Sequence, residues 1–179
     1  MKIAIVVGHN ARAQGAVRAT DGVSEFVWNS HLADLIRDHD PMNVRIFHRT
    51  YGGGYSLEID RVYADVDAWR ADCSVELHFN AAAASSAAGC LTLSSGTSGS
   101  LRLAGAIQRR TLAVLGNRDR GIDKVSRTDR GGRSLWQGRA PAVLTEPYFG
   151  SNAEECIVAD RNKGKLAGAI YEACCEVAR

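Results

Sequence analysis

Lys2 to Val7 is an apolar, β-branched run that stops at Gly8-His9-Asn10. Such a run predicts a strand covered on both faces that delivers His9 at its C-terminal edge. The segment from Ala11 to Gly22 holds two glycines and few apolar anchors, and from Val23 the spacing changes. Val23, Val27, Leu32, Leu35 and Ile36 recur near helical intervals until Asp40-Pro41 stops the helix, which puts Glu25 in its first turn. Asn43 to His48 alternates, with Val44 and Ile46 on one face, and predicts a second strand. Tyr51-Gly52-Gly53-Gly54-Tyr55 is a turn sequence. Leu57, Ile59, Val62, Val66 and Trp69 then predict a second helix, with Ile59 off its main face. Cys73 to Phe79 predicts a third strand, followed by an alanine-rich tract and a short fourth strand from Gly89 to Leu93. A third helix is expected from about Ser100 to Leu115, carrying Leu101, Ala104, Ile107, Leu112 and Leu115. Asn117 to Trp136 breaks the pattern, being rich in Arg, Lys, Asp and Gly, and is expected to be a long surface loop. Pro141 to Thr145 predicts a fifth strand ending at Glu146, and a last helix from about Asn162 to Val177 turns Leu166, Ala169, Ile170 and Ala173 inward. Strands alternating with helices imply an α/β three-layer sandwich, a twisted, mostly parallel sheet flanked by helices, as one domain over residues 1–179.

Composition narrows the class. A chain of 179 residues can bury roughly 70% of its unfolded surface. With 45% hydrophobic and 23% charged residues it is neither disordered, fibrous nor a membrane protein in composition. A formal charge of +2 lacks the strong positive excess of a nucleic-acid binder, so no nucleic acid partner is expected. The apolar run after Lys2 is too short for a signal-peptide core, and no stretch approaches the roughly 20 apolar residues that span a bilayer. The expectation is therefore synthesis in the cytoplasm without a signal peptide, no membrane insertion, and a monomer. Five cysteines, odd in number and scattered without a CxxC pair, are expected to be reduced, small buried residues.

The chemistry gathers at predicted strand ends, where open parallel sheets form their sites. His9, His78 and Glu146 each close a predicted strand, and Glu25 opens the helix that follows the first. Two imidazoles and one carboxylate are the protein ligands of many catalytic zinc sites, with a fourth position left for water. Zinc lowers the pKa of that water to about 7, and a second carboxylate must take and return the proton. Glu76 shares a strand face with His78, so it either orients that imidazole as an acceptor or is a buried carboxylate with another partner. Arg118, Arg120, Lys124, Arg127, Arg130 and Arg133 make the 117–136 stretch either a set of carboxylate-binding groups or a solvated basic face. Trp136, Tyr148 and Phe149 are candidates for a rim, with Phe149 better suited to the core.

Four segments in order carry a resemblance. They are Val6-Val7-Gly8-His9, Gly22-Val23-Ser24-Glu25 with Asn29 one turn later, Leu77-His78-Phe79-Asn80-Ala81, and Pro141 to Glu146 followed by Phe149, Ser151 and Asn152. In these the chain resembles the type-3 zinc amidases, N-acetylmuramoyl-L-alanine amidases that cut peptidoglycan between muramic acid and the stem peptide. The resemblance implies one Zn2+ ion per chain on His9, Glu25 and His78, with Glu146 as the catalytic carboxylate. It makes Asn80, Glu76, Arg127, Arg130 and Arg133 candidates for supporting the site or holding substrate, since stem peptides carry free carboxylates. Asn10 and Glu76 depart from the family pattern, which usually continues with glycines after the first histidine and often has serine two positions before the second. No helix of the kind that blocks regulated family members is evident between Asn80 and Glu146. A compact, always-active form fits a phage-type lysis enzyme that acts on the host wall after release. A zinc-dependent peptidase of cell-wall peptides and an inactive wall-binding module stand as alternatives.

Overall fold

A computed structural model describes residues 1–177. Its elements are β1 (Ile3–Val7), α1 (Glu25–Arg37), β2 (Val44–His48), α2 (Tyr55–Trp69), β3 (Cys73–Leu77), β4 (Cys90–Ser94), α3 (Ser98–Leu115), β5 (Asp119–Lys124), α4 (Gly132–Gln137), β6 (Ala142–Glu146), α5 (Ala153–Arg161) and α6 (Lys163–Val177). β1 shows why there are three layers. Ile3, Ile5 and Val7 point to one face and pack with Leu32 and Ile36 of α1, Leu103 and Ile107 of α3, and Leu166 and Ile170 of α6. Ala4 and Val6 point to the other and meet Ile59, Val62, Tyr63 and Val66 of α2. A strand buried on both faces has no polar side to alternate, hence its continuous apolar run.

The sheet order is β2-β1-β3-β6-β4-β5. β2, β1, β3 and β6 are parallel, β4 runs antiparallel to β6, and β5 is parallel to β4. After β1 the chain adds β2 on one side and then returns to add β3 on the other, so the connections part at the β1/β3 boundary, where a crevice opens at the strands' carboxyl ends. The register Val7↔Leu77 and Leu77↔Thr145 brings the ends of β1, β3 and β6 level.

The structure corrects several expectations. The stretch 117–136 is not one long loop: it holds the edge strand β5 and the short helix α4. An edge strand paired on one side keeps charged side chains in water, and such charges also guard it against further pairing, so it carries no apolar signature. In α2 the buried face includes Ile59, whereas Leu57 is exposed. In α3, Leu103 and Thr111 face inward while Leu101 and Leu112 are only half-buried. The C-terminal part contains α5 as well as α6, and α5 begins where the Asn152 side chain accepts from the backbone amides of Glu154 and Glu155. Tyr148 joins the core with Phe149, and Trp136 is exposed. All five cysteines are free, four of them buried.

Candidate metal centre

Gly8, directly after β1, sits against the neighbouring strand end. A Cβ there would fall 2.4 Å from His78 Cε1 and 2.6 Å from the Leu77 carbonyl oxygen, so only glycine lets the imidazole lie over this turn. His9 follows with φ of 67°, an uncommon value for a residue with a side chain and a form of local strain found at functional sites. Glu25 is the first residue of α1, whose N-cap Ser24 accepts from the Val27 amide, so its carboxylate lies at the positive end of that helix.

These three side chains converge. Glu25 Oε2 is 3.1 Å from His9 Nε2, and Glu25 Oε1 is 2.7 Å from His78 Nδ1. The Phe79 amide also donates to Glu25 Oε1, at 3.1 Å. One ligand atom from each of His9, Glu25 and His78 lies within 4.8 Å of the others. Burial pushes the Glu25 carboxyl up, but hydrogen bonds from His78 and His9 outweigh it and hold the group down at about 2. Burial opposes the charge on His78, yet its two carboxylate partners raise the imidazole to about 10. Two nitrogens and a carboxylate held in contact are a donor set that a small divalent ion would fit.

The other face of the His78 ring is also held. Its Nε2 lies 3.0 Å from Glu76 Oε1, and Tyr63 donates to Glu76 Oε2 at 2.9 Å. Glu76 is 1% exposed and makes the contact to His78 that the first of the two sequence readings expects, with Tyr63 as a second partner. Glu146, at the end of β6, accepts from Asn80 Nδ2 at 2.7 Å and from Arg130 Nη2 at 3.5 Å. Burial raises the Glu146 carboxyl above the ordinary range, against the opposing pull of His78 and Arg130.

A cavity of about 580 Å3 is lined by His9, His78, Glu76 and Glu146 together with Arg49, Tyr51 and Tyr55. Of the three candidate arginines only Arg130 lines it. Arg133 is bound to Asp60 at 2.6 Å, and Arg127 donates to Gln137. Two helices, α3 and α4, do lie between Asn80 and Glu146, but no residue of either lines this cavity. Sequence reasoning missed Arg49, which follows β2 at the same sheet edge as His9 and His78, and missed Tyr63, whose role depends on a helix crossing behind β3. The position of Arg49 just past a predicted strand was the one available signal.

The family model for N-acetylmuramoyl-L-alanine amidase matches residues 3–176. No curated protein sequence matches the chain at a significant level. Among solved structures, the catalytic domain of CwlV, an N-acetylmuramoyl-L-alanine amidase from Bacillus (Paenibacillus) polymyxa var. colistinus, superposes with a TM-score of 0.81 at 22% identity, covering 98% of this chain and 97% of that one. The catalytic domain of the CD27L endolysin targeting Clostridia difficile gives 0.80 at 24% identity, with 98% and 97% covered. The N-acetylmuramoyl-L-alanine amidase of Clostridium difficile 630 gives 0.79 at 21%, with 98% and 95% covered. The solved structures share this fold, and the family model spans nearly the whole sheet and both helical layers: the chain belongs to the N-acetylmuramoyl-L-alanine amidase family.

Proposed function

We propose that this amidase cleaves the amide between N-acetylmuramic acid and L-alanine with one zinc ion held by His9 Nε2, Glu25 and His78 Nδ1, and with Glu146 as the proton-transfer group. The observation that carries this reading is the convergence of those three ligand atoms within 4.8 Å, beside the cavity that Glu146 also lines. Zinc bound there supplies a Lewis acid and makes a water nucleophile available near neutral pH. Glu146 would take a proton from the attacking water on a carboxylate oxygen and pass it to the leaving amide nitrogen, and Asn80 Nδ2 keeps that carboxylate aimed. Burial raises Glu146 and so brings its basicity closer to working pH. Glu76 accepts from His78 Nε2–H and fixes the tautomer that leaves Nδ1 free for the ion. Arg130, which donates to Glu146, also lines the cavity, where it would meet the substrate.

Digestion of purified peptidoglycan tests the reaction. Mass analysis should find new L-alanine amines and intact lactyl-muramic acid, and new reducing sugar ends or cleaved stem peptides would sink the reading. Glu146→Gln should retain one zinc per chain and lose at least about a hundredfold in kcat, the usual scale for a lost general base. We further infer a lytic role, supported by similarity to an endolysin catalytic domain. Purified protein added to cells with permeabilised outer layers should clear the suspension, and intact cell walls after such treatment would count against it.

A further inference from the structure

The cavity runs from the metal cluster to the end of β2, where Arg49 lies. Its side chain is only 6% exposed, and a buried guanidinium needs a partner. Glu58 on α2 provides one, with Oε2 3.0 Å from Nη2. That carboxylate is fully engaged, since it also accepts from Asn10 Nδ2 at 2.9 Å and from the Gly52 amide at 3.1 Å. The guanidinium is not. The bond from Nη2 to Glu58 is its one hydrogen bond among the described residues, Nε is buried without a partner, and Nη1 is unpaired without being buried. The Tyr55 ring, 5.0 Å from Arg49 Cζ, fixes the plane of the fork from the side. The remaining carboxylates of the cavity are committed elsewhere, Glu76 to Tyr63 and His78, Glu146 to Asn80 and Arg130, and Asp129 to the Ser126 amide.

We propose that Arg49, oriented by Glu58 and Tyr55, is a carboxylate-binding subsite that receives the free carboxylate of an acidic residue in the peptide part of the substrate. A planar fork anchored on one edge and open on the other suits a carboxylate, which it meets with little loss of side-chain freedom. The Asn10 amide, which departs from the glycine pattern of the family, serves this arrangement by holding Glu58, and its Oδ1 accepts from the backbone amides of Arg12 and Ala13. The subsite rests on the amidase reading for the identity of its ligand and lies in the same cavity as the reacting amide.

The test uses two synthetic muramyl peptides that differ only in whether the second residue carries a free α-carboxylate or the carboxamide. The zinc-loaded full chain should hydrolyse the carboxylate form with a kcat/KM at least tenfold higher, mainly through KM, the scale of one charge-assisted hydrogen-bonded contact. The double variant Arg49→Gln/Glu58→Gln removes both charges and leaves neither orphaned, and it should bring the ratio to about one. Arg49→Lys keeps the charge against Glu58 but loses the fork, and it should lose most of the preference, which covers the case of a double variant that fails to fold. Equal rates on both peptides, or a preference that survives in a folded double variant, overturns the subsite. Preference for the carboxylate form with cleavage at another bond keeps the subsite and overturns the amidase reading, and failure to bind or cleave either peptide overturns both.

Discussion

Glu76 is bonded through both carboxylate oxygens, one to His78 and one to Tyr63, in the wall of the cavity, where it is 1% exposed. A carboxylate behind a metal-binding imidazole raises its basicity and fixes its orientation, and loss of such a partner commonly weakens metal binding about 10- to 100-fold. Glu76→Gln keeps an acceptor but not the charge, so its zinc affinity, read by chelator competition, should fall by about tenfold, the lower end of that range. Tyr63→Phe leaves the contact to His78 and should cost less. Unchanged affinity in a folded Glu76→Gln protein would reduce Glu76 to a packing residue. Arg130 bears on Glu146 in a way that pH can reveal. Burial raises the Glu146 carboxyl, and the Arg130 charge is one of the influences that lower it. Removing that charge therefore lets Glu146 hold its proton to higher pH, and since the base must be ionised, the acid limb of the kcat profile should move to higher pH in Arg130→Gln. A limb that stays in place, or moves to lower pH, contradicts the assignment of that limb to Glu146.

At the scale of elements, the turn after β1 is the tightest constraint on the site. Gly8→Ala would drive a methyl group into the His78 ring and the Leu77 carbonyl, and backbone cannot step aside as a flexible side chain can. Overpacking of this kind costs about 1–3 kcal/mol, and here it also pushes β1 away from the end of β3. The variant should unfold at lower urea without zinc and bind zinc more weakly, and wild-type values for both would show that the turn has slack. The elements also differ in how far their sequences announce them. β1 is covered on both faces and shows it as an apolar run, β6 does so over Ala142-Val143-Leu144, β3 alternates Cys73, Val75 and Leu77 with the buried polar Ser74 and Glu76, and α1 shows its apolar spacing and its Asp40-Pro41 stop. β5 is an edge strand of charged residues, α4 is two turns long after a glycine, and α5 presents mainly polar residues, with Cys156 and Ala159 as its buried apolar contacts. Their stability comes from what they pair with or lie against, so periodicity carries little of it.

For the whole molecule, an ion that binds the folded chain alone stabilises it by mass action. At free zinc about a hundred times its dissociation constant the gain is about 2.7 kcal/mol, which for a chain of this length corresponds to a rise in Tm of about 5–10 °C. Stripping zinc with a chelator should reverse that shift, and a Tm indifferent to zinc would show that the cluster does not hold it. The sequence by itself determined the central strands, the main helices, the α/β class, and the four groups His9, Glu25, His78 and Glu146 at element ends, because each rests on local periodicity or on a motif only a few residues long. Only the tertiary structure decided that β4 reverses against β6, that the basic stretch supplies an edge strand and a short helix, and that Arg49, Glu58 and Asn10 meet at the cavity while Arg133 turns to Asp60. Those outcomes depend on register and contact between segments tens of residues apart in the chain, where the partner that decides a side chain's role is fixed by packing and not by its neighbours in sequence.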